Sequence, residues 1–123
     1  MFYESVCVSS RSFQQRIQDI VDIGSDIETF TKDMSFAEFQ VDTRTVRAVL
    51  YSLAVMGKAA ASLLPELEAV SLEIAWLDIR GMLNIVIHEY FRVDLEIVWE
   101  TIQTDLPKLL QQLKDLLKSL ENT

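Results

Sequence analysis

The sequence predicts an all-α protein, an antiparallel bundle of about five helices. Half of the residues are apolar, and only five are glycine (3) or proline (2), so turns are few. Apolar side chains recur at three- and four-residue steps along most of the chain, which is the helical period. A β-sandwich or barrel would need a turn signal every ~8–12 residues. We therefore expect residues 1–123 to form one domain of long helices with short connections.

The first predicted helix follows a short N-terminal arm, with Ser9 or Ser10 as its N-cap. It extends over roughly 22 residues, and charged side chains lie largely opposite its apolar face. The apolar positions are Phe13, Ile17, Ile20, Val21, Ile23, Ile27 and Phe30. Gly24 is tolerated inside this helix at a cost in stability, and we expect it to mark close packing against a neighbour.

Capping signals indicate where the next two helices begin. Ser35 and Glu38 have the spacing of a capping box, which predicts one short helical turn. Asp42 is the expected cap of a helix over residues 43–64, whose wide apolar face predicts a central position. We expect Pro65 to end that helix or to start a short new turn.

The remaining helices are predicted over residues 76–89, over residues 95–104 and from Pro107 onward. Asp94 is the expected N-cap of the second of these, and Pro107 suits the first turn of the last one. The last helix has a leucine stripe at Leu109, Leu110, Leu113, Leu116, Leu117 and Leu120.

Composition and charge restrict the classes of function. The net charge of −8 is not that of a protein that holds nucleic acid by overall charge, so any RNA contact must be local or involve a partner or a second copy. Cys7 is the only cysteine, which excludes an intrachain disulfide. With no Gly-rich phosphate loop and no Cys/His cluster, we expect no cofactor and no metal. No uninterrupted apolar run reaches ~18 residues and no secretory signal is evident, so we expect a cytoplasmic protein without a membrane span.

The strongest candidate site is the stretch of residues 79–91. Arg80, Asn84 and His88 are four residues apart, so a helix places them on one stripe. Tyr90 follows two residues after His88, which is the only histidine. Polar side chains on an otherwise apolar helix need partners, in a ligand, at an interface or in the core. The residues alone leave open a purely structural explanation, a histidine at a helix C-terminus or in a buried hydrogen-bond network.

Two stretches of the chain resemble HepT-like proteins of the HEPN superfamily. They are residues 18–60 and residues 80–113, RGMLNIVIHEYFRVDLEIVWETIQTDLPKLLQQL, in which HEYF, VDLEIVWET and DLP carry the similarity. The resemblance implies a HEPN-type helical homodimer that cleaves RNA without a metal. It further implies the toxin of a type II or type VII-like toxin–antitoxin pair. The antitoxin would be an MntA-type minimal nucleotidyltransferase, which silences the toxin by transferring AMP to a tyrosine.

Transferred residue by residue, the resemblance assigns His88 as the catalytic histidine and Asn84 as the polar residue of the motif. It assigns Tyr90 as the acceptor of AMP. Leu83 occupies the position of the motif arginine and cannot bind a phosphate. Arg80 shares the stripe of Asn84 and His88 and is the candidate substitute, although it is about 12 Å from His88 along a helix axis.

The chemistry agrees with this assignment. Metal-free cleavage uses the 2′-hydroxyl of RNA as the nucleophile and needs a base, an acid and a cation. A two-fold dimer would supply both proton-transfer groups from two copies of His88. Leu83 predicts lost or weakened activity, which leaves a second hypothesis open, a catalytically inactive HEPN domain that binds a nucleotidyltransferase. A helical dimer without any ligand is the third.

Overall fold

The computed structural model describes residues 12–70 and 94–121. Every regular element in these two ranges is helical, which confirms the all-α class. The helices are α1 (Phe13–Thr31), α2 (Phe36–Val41), α3 (Thr43–Val70), α4 (Leu95–Glu100) and α5 (Leu106–Glu121), with a π-helical turn at Thr101–Asp105. The helix predicted over residues 76–89 lies outside the described residues.

Helix α1 begins later than predicted, because its N-cap is Ser12 and not Ser9 or Ser10. The Ser12 hydroxyl accepts from the Gln15 backbone N–H at 3.1 Å, and the Gln15 side chain accepts from the Ser12 N–H at 3.0 Å. This reciprocal pair satisfies two N–H groups that the helix leaves free, so a serine with glutamine three residues later is the better cap.

The predicted caps of α2 and α3 are confirmed. Ser35 and Glu38 exchange hydrogen bonds at 2.8 Å and 3.1 Å, which is the capping box. Asp42 accepts from the Thr45 backbone N–H at 3.1 Å and from the Thr45 hydroxyl at 2.9 Å. These two bonds, the backbone one first, stabilise the carboxylate and hold the pKa of Asp42 below its usual value.

Pro65 does not end α3, contrary to the prediction. The helix continues through it to Val70 and is 28 residues long. Leu63 and Leu67, one on each side of the proline, have no exposed surface. Pro65 cannot donate a backbone hydrogen bond, and the burial of these two leucines outweighs that loss, since packing contributes most of the stability of helices in proteins.

Residues 95–121 form one continuous run and not the two separate helices that were predicted. The Leu106 N–H donates to the carbonyl of Thr101, five residues back, and so forms the π-helical turn. This wider turn lies directly before Pro107, whose ring would clash with a carbonyl one turn earlier in a regular α-helix. The chain therefore passes the proline by a local change of pitch.

Helix α1 lies antiparallel to both α3 and α5. Near its start, the Arg16 guanidinium donates to the Ser62 hydroxyl of α3 at 2.7 Å. At mid-helix, Gly24 faces the side chain of Leu110 on α5, which confirms the close approach predicted for this glycine. The core extends along these three helices, and the Phe39 ring of α2 contacts Trp99 with their centroids 5.0 Å apart.

One segment of α3, Thr43–Leu63, is apolar and long enough to cross a membrane if only its length and composition are considered. The central helix of a soluble bundle passes the same test. Here 44% of the most apolar window is buried within the protein, and α1 packs along the helix. The segment qualifies on average hydropathy although it contains no uninterrupted apolar run of ~18 residues, so the absence of a membrane span stays a prediction.

Candidate functional site

The five residues of the predicted site belong to the part of the chain between α3 and α4. Arg80, Leu83, Asn84, His88 and Tyr90 all lie outside the described residues, so their assigned roles stay predictions.

The C-terminal boundary of this part is well defined. Asp94 caps α4, its carboxylate accepting from the Glu96 backbone N–H at 2.9 Å, as predicted. Val98 and Ile102 are 1% and 3% exposed and bury the start of this run in the core. The Asp94 cap, four residues after Tyr90 in sequence, is therefore the start of a helix that the core holds in place.

The described residues offer little other machinery for catalysis. Within residues 12–70 and 94–121, no group of three or more His, Cys, Asp or Glu side chains could hold a metal ion. One cavity of about 490 Å³ lies between the start of α1 and the end of α5. Its lining is Ser12, Gln14, Gln15, Gln18, Leu117 and Glu121. Among the described residues of that lining, Glu121 is the only ionisable side chain, so they provide no acid–base pair.

A second candidate surface is the outward side of α3. Four side chains lie on a single stripe of this helix, because they follow one another at steps of three, four and seven residues: Arg44, Arg47, Tyr51 and Lys58. All four are exposed, and Tyr51 retains 72% of its surface. We call this surface the Tyr51 face. At 1.5 Å per residue it is about 21 Å long.

The Tyr51 face is positively charged in a protein that is otherwise acidic. Residues 43–65 contain three basic side chains and no acidic one. This segment therefore carries a charge of +3 and the rest of the chain a charge of −11, which together give the net charge of −8. In the described part of the chain, neither Arg47 nor Lys58 has a side-chain hydrogen bond or an ion pair, so both cations face solvent.

The Tyr51 face is not among the predictions from the sequence, because the apolar content of residues 43–64 indicates only a central helix. The available signal was the run of 23 residues, from Thr43 to Pro65, without an aspartate or glutamate. The seven-residue steps from Arg44 to Tyr51 and from Tyr51 to Lys58 would have placed these side chains on one stripe of the helix.

Comparisons with known proteins identify the family. The family described as ribonuclease HepT-like matches residues 13–116. A relative named "Probable ribonuclease HepT" from Thermococcus cleftensis is 32% identical over 108 residues, which cover 88% of this chain and 98% of the relative. A "Putative RNase" from Caldanaerobacter subterraneus is 38% identical over 87 residues, 71% of this chain and 78% of that protein. Another "Putative RNase", from Methanocaldococcus jannaschii, is 32% identical over 111 residues, 90% of this chain and 96% of the relative.

No solved structure matches the chain. The family match includes residues 80–90, so it covers every residue of the predicted site. The resemblance to HepT-like proteins is confirmed, and the roles of individual residues are not tested by it.

Proposed function

The chain belongs to the ribonuclease HepT-like family, and we propose that it is a metal-independent endoribonuclease, the toxin of a type II or type VII-like toxin–antitoxin pair that acts in the cytoplasm. The observation that carries the proposal is the family match over residues 13–116, which contains the only histidine of the chain together with Asn84 and Tyr90. Relatives named as ribonucleases cover up to 90% of the chain, which supports RNA as the substrate.

In the proposed reaction the 2′-hydroxyl of RNA attacks the adjacent phosphorus and displaces the 5′-oxygen of the next nucleotide. One imidazole accepts the proton of the 2′-hydroxyl, and a second imidazole donates a proton to the leaving oxygen. His88 supplies both groups if two chains form a two-fold dimer around one cleft. Asn84 would orient the phosphate by hydrogen bonding.

Leu83 determines how active this site is. A cation beside the scissile phosphate stabilises the negative charge that develops in the transition state, and loss of one such donor costs about 10²–10³ in rate. Leucine supplies no charge. We propose that the chain is a weakened ribonuclease in which Arg80 partly replaces the missing cation.

Regulation by AMP transfer forms the second part of the proposal. The phenol of Tyr90 would attack the α-phosphorus of ATP on an MntA-type nucleotidyltransferase, forming a phosphodiester and releasing pyrophosphate. The AMP group would add bulk and negative charge two residues from His88, and would exclude RNA by steric contact and by repulsion.

One alternative has a specific observation in its favour. Because Leu83 removes the motif cation, the chain could be a catalytically inactive HEPN domain that serves as the binding partner of a nucleotidyltransferase. This hypothesis predicts a stable complex with the partner and no RNA cleavage by either the natural chain or a restored variant.

The decisive experiment compares RNA cleavage by the natural chain, Leu83→Arg and His88→Ala in buffer containing a chelator. We expect weak cleavage by the natural chain, an increase of about 10²-fold in Leu83→Arg and none in His88→Ala. Cleavage that survives His88→Ala would contradict the catalytic assignment. If neither the natural chain nor Leu83→Arg cleaves, the inactive binding domain is the better explanation.

The regulatory proposal has its own readout. Incubation with the partner nucleotidyltransferase and ATP should add AMP to Tyr90, located by peptide mass spectrometry. Tyr90→Phe is the control variant and should remain unmodified. Modification of another residue, or none, would contradict Tyr90 as the acceptor.

A further inference from the structure

We propose that the Tyr51 face of α3, formed by Arg44, Arg47, Tyr51 and Lys58, binds the phosphate backbone of single-stranded RNA. This inference rests on the proposed ribonuclease function and adds a binding surface outside the predicted catalytic residues. Its central observation is the concentration of positive charge on one exposed stripe of an acidic protein.

Electrostatics favours such a surface. A chain with a net charge of −8 repels a polyanion at long range, so RNA can approach productively only where the local charge is positive. The segment over residues 43–65 carries +3 and has no acidic residue to offset it. The nearest preceding acidic residue is Asp42, whose carboxylate accepts hydrogen bonds from Thr45 as the cap of α3 and also attracts Arg44, so Arg47 and Lys58 are the cations left without an acidic neighbour in this segment.

The geometry fits an extended strand better than a compact anion. The three cations are spread over about 21 Å of one helix, so they cannot converge on a single phosphate. Their spread matches several consecutive phosphates of one strand. Arg47 and Lys58 have no partner among the described residues, so binding RNA would break no ion pair in that part of the chain.

Tyr51 adds a reason to choose RNA over a protein partner. Its ring lies between the cations, three quarters of its surface is free, and no aromatic neighbour in the described part of the chain covers it. Surfaces that bind single strands combine cations for the backbone with exposed aromatic rings on which bases stack. An exposed tyrosine on a positive stripe is this combination.

The surface also complements the departure at Leu83. A site that lacks its motif cation has lost a phosphate contact, and substrate affinity must then come from elsewhere. The Tyr51 face supplies three cations for that purpose, on the helix that directly precedes the predicted site in the sequence.

The test measures RNA affinity in a background that cannot cleave. Full-length His88→Ala protein is titrated into a fluorescent single-stranded RNA of about 20 nucleotides at several salt concentrations. Replacing Arg44, Arg47 and Lys58 together by glutamine should weaken binding by about tenfold or more at low salt. It should also reduce the slope of log K against log salt by about 2, since each lost phosphate contact contributes ~0.7.

A matched control removes the same charge from another surface. Lys108, Lys114 and Lys118 are exposed on α5, and their joint replacement by glutamine also changes the net charge by −3. We expect this variant to bind RNA within about threefold of the parent. Equal weakening by the two triple variants would mean that only net charge matters, and would overturn the proposal, as would unchanged binding by the α3 variant.

The ring is tested separately. Tyr51→Phe keeps the stacking surface and should bind like the parent, whereas Tyr51→Ala should weaken binding by about fivefold or more. Equal affinity of the two variants would overturn the assignment of Tyr51. If the α3 triple variant instead converts a dimer to a monomer in light scattering, the face is an interface between two copies and the proposal fails.

Failure of this inference is distinguishable from failure of the proposed function. RNA binding that depends on the Tyr51 face, without cleavage by the natural chain or Leu83→Arg, would refute the ribonuclease and leave the surface intact. Cleavage that depends on His88, with a KM unchanged in the α3 triple variant, would refute the surface and leave the ribonuclease intact.

Discussion

The contact between Gly24 and Leu110 gives the sharpest test of how the three long helices pack. A Cβ atom added at Gly24 would lie 2.5 Å from Cδ2 of Leu110 and 3.2 Å from its Cδ1 and Cγ. Leu110 is 2% exposed, so it cannot move aside without displacing other core side chains. Gly24→Ala therefore combines a gain in helix propensity with a steric conflict.

The two effects have opposite signs and comparable sizes. Replacing a mid-helix glycine by alanine stabilises a helix by about 1 kcal/mol, whereas overpacking a core costs about 1–3 kcal/mol. We expect Gly24→Ala to lower the free energy of unfolding by up to about 2 kcal/mol. In a Leu110→Ala background the conflicting atoms are absent, so the same substitution should raise the free energy of unfolding by about 1 kcal/mol.

The assay is urea unfolding of the four proteins of this cycle, followed by far-ultraviolet circular dichroism at one fixed protein concentration. Fixed concentration is needed because any dimer makes apparent stability depend on it. Leu110→Ala alone should cost about 2–5 kcal/mol as a cavity substitution. If Leu110→Ala leaves too little folded protein, Leu110→Val replaces it in the cycle, because valine also lacks the two Cδ methyl groups of leucine. A Gly24→Ala effect of the same sign and size in both backgrounds would refute close packing at this point.

Three further predictions concern the helices that frame the site. Pro65→Ala should raise the free energy of unfolding by about 1–3 kcal/mol, because it restores a helical N–H within a helix that already continues past this exposed position; destabilisation would mean that α3 ends at residue 64. Asp42→Ala should destabilise the protein at pH 7. Because the folded pKa of Asp42 lies below its usual 3.8, its contribution is present above that pH and is lost as the pH falls through the folded value, so the natural and variant stabilities should converge in acid. A constant difference between them over that range would contradict the role of its hydrogen bonds from Thr45. Phe39→Ala should cost about 3–5 kcal/mol, because the ring is fully buried against Trp99, and should alter tryptophan fluorescence; a loss below 1 kcal/mol would contradict this packing.

Features that depend on neighbours in sequence could be predicted from the sequence. Ser35, Glu38, Asp42 and Asp94 act within one helical turn, so residue type and spacing suffice to locate the caps that they form. The HepT-like resemblance was equally accessible, because it depends on motifs along the chain. The site residues around His88 come from that resemblance, and their roles still depend on the activity measurements proposed above.

The errors occurred where local rules compete with distant contacts. Pro65 predicts the end of a helix and Pro107 predicts the start of a separate one, yet both lie inside longer helical runs. Burial of Leu63 and Leu67 stabilises the first run. In the second run, the π-helical turn before Pro107 avoids the clash that the proline ring would make in a regular α-helix. Both effects require packing partners or a change of pitch that periodicity does not encode.

Caps, periodicity and motifs act over a few neighbouring residues, so they suffice to predict that the protein is helical, where most of its helices begin and which family it belongs to. Which side of each helix is buried against which neighbour depends on contacts between residues that are distant in sequence. The close pair of Gly24 and Leu110 is separated by 86 positions, and no local rule connects them. The same packing buries the apolar side of α3 and leaves Arg47 and Tyr51 on the surface, because α1 covers one side of the helix and solvent the other.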